Sequence, residues 1–121
     1  MFFTKLQVEQ QTDGKTWKVL QDLVYVDSIE GAIGVPEAYI TDFASVPRLP
    51  IIFDFLGDIG QSAATVHDYL YDNGTISRKQ IDKVFHRALL DTGVGKVRAF
   101  LMYKGVRYFG WYAFAKARST K

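Results

Sequence analysis

The 121-residue chain predicts a single α+β domain, with antiparallel strands over its first third followed by a helical hairpin and a long apolar C-terminal helix. Apolar residues alternate with polar ones up to about residue 40, as half-buried strands require. After Pro50 they recur at three- and four-residue intervals, the spacing of one helix face. The length suits one hydrophobic core, which serves roughly 100–150 residues before chains divide. The domain is therefore expected over 1–121, with 4–40 mainly strand and 48–117 mainly helix.

Leu6 and Val8 alternate with Lys5, Gln7 and Glu9, and Trp17, Val19, Val24 and Val26 continue the pattern after Asp13-Gly14. An Asp-Gly pair tolerates the positive φ of a tight turn, so 4–11 and 15–26 read as two strands of a hairpin. Gly31, Gly34 and Pro36 punctuate an extended stretch with Ile33, Val35, Tyr39 and Ile40, which adds one or two more strands. Ile51 to Leu56 suggests a short helical turn ending at Gly57. Ser62 is the candidate N-cap of a helix through Tyr71, stopped by Asn73-Gly74. Ser77 caps a second helix to about Leu90, with Ile81, Val84, Phe85, Ala88 and Leu89 as its buried stripe and Gly93 at its end. A last helix over Val97–Ala117 is apolar nearly all round and is expected at the centre of the core, with Gly105 and Gly110 permitting close approach by another element.

Composition narrows the function classes. With 48% hydrophobic and 23% charged residues there is enough apolar material to offset the entropy of folding. The net charge of +2 comes from 15 basic and 13 acidic residues spread along the chain, which does not point to nucleic acid. The basic tail of Lys116, Arg118 and Lys121 reads as a solvated end. Absence of cysteine excludes disulfides, thiolate catalysis and thiolate-ligated zinc. The first residues lack the basic start and apolar run of a secretory signal, so synthesis in the cytoplasm is expected. Lys104 and Arg107 interrupt the most apolar stretch, which excludes it as a membrane span.

The segment with chemical potential is Ala63–Tyr71. On a helix, His67 and Tyr71 share a face and Asp68 projects about 100° around the axis. The hairpin turn has its midpoint between residues 74 and 75, so His67 and Asp82 stand at the same height on antiparallel helices. A carboxylate accepting from one imidazole nitrogen fixes the tautomer and leaves the other nitrogen for a water, the arrangement of a general base. Asp68 is a candidate ligand for calcium or magnesium, with Asp42, Thr41 or backbone carbonyls as further oxygen donors, and Arg48 is a candidate for holding an anionic group of a substrate. No organic cofactor is expected. The same residues equally fit a satisfied polar cluster that fixes packing, with Tyr71 as a hydrogen-bond partner. His86, one turn beyond Asp82, fits a rim position, and Ser45 lacks the glycine-flanked elbow of a nucleophile.

Thr41-Asp42-Phe43-Ala44-Ser45-Val46-Pro47-Arg48, then Ala64-Thr65-Val66-His67-Asp68-Tyr69-Leu70-Tyr71, then Arg78-Lys79-Gln80-Ile81-Asp82-Lys83-Val84-Phe85 resemble a bacteriophage and prophage domain family of unknown function. That resemblance covers most of the chain and implies phage origin, with either a virion part or a product acting on the host envelope. His67, Asp68 and Tyr71 also match the short His-Asp-x-x-Tyr motif of phospholipase A2. There the histidine activates water, the adjacent aspartate binds calcium and a distant aspartate orients the histidine, roles that carry to His67, Asp68 and Asp82. The disulfides and glycine-rich calcium loop of that family are missing here. The expected function is a phage-encoded, metal-assisted hydrolase of an ester or amide bond, with a non-enzymatic tail, baseplate or assembly component as the alternative. Partners would be other virion proteins or a host envelope substrate.

Overall fold

The computed structural model describes residues 1–41 and 60–119. Five short strands come first: β1 (Val8–Gln10), β2 (Trp17–Val19), β3 (Leu23–Asp27), β4 (Gly31–Val35) and β5 (Ile40–Thr41). Three helices follow: α1 (Gln61–Asn73), α2 (Arg78–Asp91) and α3 (Lys96–Ser119). The expected α+β order is thus found, while the turn expected over 51–56 lies outside the described residues.

All strand pairs are antiparallel, but they form two sheets, ordered β1-β2-β5 and β3-β4. The strand expected over 15–26 is therefore two strands. The chain leaves the first sheet after Val19 and re-enters the second at Leu23. Leu23, Tyr25 and Asp27 face inward, whereas Val24 and Val26, the more strand-like pair in sequence, are only half-buried. The Asp13-Gly14 turn is wider than a two-residue hairpin. Gln11 N–H donates to Thr16 O at 2.9 Å, Gly14 takes φ +70°, and the Asp13 carboxylate accepts from the Lys15 and Thr16 amides.

Asp27 ties the second hairpin to the helices. Its carboxylate accepts Ile29 and Glu30 amides within the turn and a bidentate pair from Arg87 of α2, at 2.8 and 2.9 Å. Burial is the largest single influence and would raise this carboxyl's pKa, yet the hydrogen bonds from Arg87 and the two amides together leave it below its ordinary value.

Gly60, not Ser62, occupies the N-cap of α1, and no side chain caps that end. Ser77 does cap α2: its hydroxyl accepts from Gln80 N–H while the Gln80 side chain accepts from Ser77 N–H, a complete capping box. The larger correction concerns α3, which is not the centre of the core. Its buried positions are Ala99, Met102, Gly105, Val106 and Gly110, whereas Phe100, Leu101, Tyr108, Phe109, Trp111 and Tyr112 are exposed. Small residues let its backbone approach α1; a Cβ built on Gly110 would lie 2.6 Å from Tyr71 Oη. The core is centred instead where Val19, Leu23, Tyr25 and Val35 of the sheets meet Val66 of α1 and Ile81, Phe85 and Leu89 of α2. Among the described residues, no helix is long and apolar enough to cross a membrane.

Candidate functional site

Helices α1 and α2 run antiparallel from a short turn closed at Gly74, whose N–H returns to Leu70 O. This brings His67 and Asp82 together as their equal distance from the turn requires. His67 Nε2 donates to Asp82 Oδ1 at 2.7 Å, and Tyr71 Oη donates to the same oxygen at 2.6 Å. The three residues expected to act together are in one cluster. The imidazole is wedged between Tyr71 and Phe85, with ring centroids 4.1 and 4.9 Å away.

Two arginines complete the cluster. Asp82 Oδ2 accepts from Arg107 Nη1 at 2.8 Å and from Arg78 Nη1 at 3.3 Å. Arg78 also donates to the carbonyls of Val106 and Arg107, at 3.0 and 3.2 Å, so one guanidinium joins α2 to the middle of α3. With four donors on its two oxygens, the Asp82 carboxylate has no acceptor capacity left for a cation. Arg78 was legible as the i,i+4 neighbour of Asp82, one turn back along the helix. Arg107 was not, because only the packing of α3 brings it there.

The electrostatics follow from this geometry. Both His67 and Asp82 side chains are 0% exposed. Burial dominates at His67 and lowers its pKa, against the opposing pull of Asp82, so the ring is held neutral with its Nε2 proton directed at Asp82. At Asp82 burial would raise the pKa, but His67, Tyr71 and Arg107 overcome it and keep the carboxylate ionised. Burial, then the neighbouring Asp82, pushes the Tyr71 phenol up, so it remains a donor.

Asp68 belongs to a second, adjoining group. Its Oδ2 accepts from Thr41 Oγ1 at 2.5 Å, and Tyr39 Oη lies 3.3 Å from that oxygen and 2.6 Å from Asp72 Oδ2. The end of β5 is thus docked on α1 at the aspartate beside His67. Tyr39 was missed as a member of this group, since nothing in its strand-like context marks it. Asp42 and Arg48 lie outside the described residues, as does Ser45. Among the described residues, no group of three or more His, Asp or Glu could hold a metal ion. His86 takes the rim position expected of it, half-buried and stacked on Tyr103 at 5.1 Å.

No curated protein and no solved structure gives a significant match to the chain. The sequence model of one family matches residues 17–106, from β2 to the middle of α3, and so includes His67, Asp68, Tyr71, Arg78 and Asp82 but stops one residue before Arg107. That match spans well over half of the chain, which therefore belongs to the family described as protein of unknown function DUF1353.

Proposed function

We propose that the chain is a small hydrolase in which His67 is the general base. The observation that carries this reading is the 2.7 Å contact from His67 Nε2 to Asp82 Oδ1, with Tyr71 on the same oxygen, which fixes the ring and stabilises the imidazolium formed when it takes a proton. In the proposed step a water adds to an ester or amide carbonyl carbon as its proton passes to His67, and the acyl C–O or C–N bond then breaks as that proton is delivered to the leaving oxygen or nitrogen. Asp82 and Tyr71 position the ring. Asp68 would supply one carboxylate to a calcium or magnesium ion that polarises the carbonyl, with Asp42 beside Thr41 in sequence as a second and Arg48 binding an anionic substrate group. The resemblance to phage proteins makes a component of the host envelope the substrate to try first.

A second reading is favoured by a specific observation: both members of the pair are 0% exposed, and no buried side-chain nitrogen or oxygen among the described residues lacks a partner. On that reading the cluster fixes the packing of three helices in a non-enzymatic virion or assembly component.

Only two histidines are present, so the test is direct. Native protein is assayed on a panel of esters and amides with and without calcium or magnesium, and its histidines are mapped after treatment with diethyl pyrocarbonate. The hydrolase reading expects turnover that falls at least about a hundredfold in His67→Asn and persists in His86→Asn. A His67 ring inert in native protein but reactive in urea, together with no turnover, establishes the structural reading instead.

A further inference from the structure

The outward face of α3 is unlike the rest of the described surface. Phe100, Leu101, Tyr108, Trp111 and Tyr112 project within about 120° of one another around the helix and are 48–69% exposed, while Phe109, 61% exposed, projects from the flank. The four aromatics of that face leave on the order of 500 Å² of ring surface in water, at the upper end of the ~300–600 Å² of the largest patch on an ordinary monomer. The face is also of one charge sign. Lys96, Arg98, Lys104, Arg107, Lys116 and Arg118 all lie on α3, which carries no Asp or Glu. Arg107 is engaged by Asp82 and Arg118 donates to carbonyls at the end of α1, whereas Lys96, Lys104 and Lys116 are exposed. Lys104 Nζ sits 5.5 Å from the centre of the Phe100 ring.

We propose that this face docks on the surface of an anionic lipid bilayer, with α3 lying in the plane of the headgroups. Three features select this occupant. Tyr and Trp pair an apolar ring with a polar tip, which suits the boundary between acyl chains and headgroups. Lys104, set over the Phe100 ring, reaches the lipid phosphates from that face, with Lys96 and Lys116 at its two flanks toward the ends of the helix. A second copy of the chain fits less well on charge. Val97, Leu101, Lys104, Tyr108, Trp111 and Ala115 follow the alternating four- and three-residue spacing of a helix-pairing seam. In-register parallel pairing sets Lys104 against Lys104 of the other copy, and antiparallel pairing centred on residue 106 sets Lys96 against Lys116. The proposal does not depend on the chemistry assigned to His67.

The test uses the full chain carrying Trp17→Phe, which leaves Trp111 as its one tryptophan. It is sedimented with vesicles of phosphatidylcholine alone or with about a third phosphatidylglycerol, while Trp111 emission is recorded. The expected result is at least tenfold stronger binding to the anionic vesicles, with a blue shift of the emission. Lys104→Gln and Lys116→Gln each weaken binding about fivefold. In the chain retaining Trp17, Tyr108→Ser with Trp111→Ser and Tyr112→Ser abolishes sedimentation while leaving the melting temperature unchanged, because all three side chains are exposed. The proposal is overturned by binding equal to that of phosphatidylcholine, by a lipid-independent dimer lost in the triple variant, or by binding of the same face to oligonucleotide and not to vesicles.

Discussion

Replacing Asp82 by Asn tests the central cluster most directly. The carboxylate accepts four hydrogen bonds, from His67, Tyr71, Arg107 and Arg78, at 2.7, 2.6, 2.8 and 3.3 Å. An amide of the same shape keeps one acceptor oxygen and turns the other site into a donor. Either His67 and Tyr71 or the two arginines then face an NH2 group. It also removes the one carboxylate that, among the described residues, pairs with the guanidinium groups of the cluster. Breaking a buried ion pair from one side costs about 3–5 kcal/mol. The Arg78 and Arg107 side chains are 21% and 27% exposed and can regain water, so the low end applies, about 3 kcal/mol. For a domain of this size that lowers the melting temperature by roughly 10 °C. Urea unfolding of Asp82→Asn, Arg107→Gln and the double variant measures both the loss and the coupling between the two side chains, expected between about 0.5 and 3 kcal/mol. A loss below about 1 kcal/mol for Asp82→Asn, with no coupling, refutes the picture of Asp82 as the shared acceptor of three helices.

Gly110→Ala should destabilise by about 1–3 kcal/mol in chemical denaturation, because its methyl would meet Tyr71 Oη at 2.6 Å while that oxygen is held by Asp82; a gain of about 1 kcal/mol from helix propensity alone would contradict this. His67 has a folded pKa below its unfolded value, so its contribution is complete above about pH 6.5 and is lost as pH falls through the window below. The half-buried His86 shifts in the same direction, and each histidine can remove up to about 1.4 kcal/mol per pH unit there. Urea midpoints between pH 7.5 and 5.5 should therefore fall less steeply in a His67→Gln variant than in wild type or His86→Gln. Asp27 and Asp82, both depressed, add a second loss below about pH 3.9. Ser77→Ala removes one half of the capping box and should cost about 1 kcal/mol by thermal unfolding, a loss that Ser62→Ala should not reproduce because Gly60 holds the N-cap of α1.

The sequence by itself determined the order of strands and helices, the capping box at Ser77 and the meeting of His67 with Asp82. Each depends on local periodicity or on counting from a short turn, and neighbours along the chain dictate such features. Tertiary structure alone decided that residues 15–26 serve two sheets, since strand propensity is similar on both sides of the Leu20–Asp22 bend and only partner strands separate them. It alone decided which side of α3 is buried. Apolar residues occur on every side of α3, so its spacing carries no signal of its inner face, and the glycine and alanine stripe prevailed over the aromatic one because small side chains let Tyr71 and Arg78 come close. Arg107 reaches Asp82, and Thr41 reaches Asp68, across 25 and 27 residues of chain, distances over which residue spacing carries no geometric information until the core has formed.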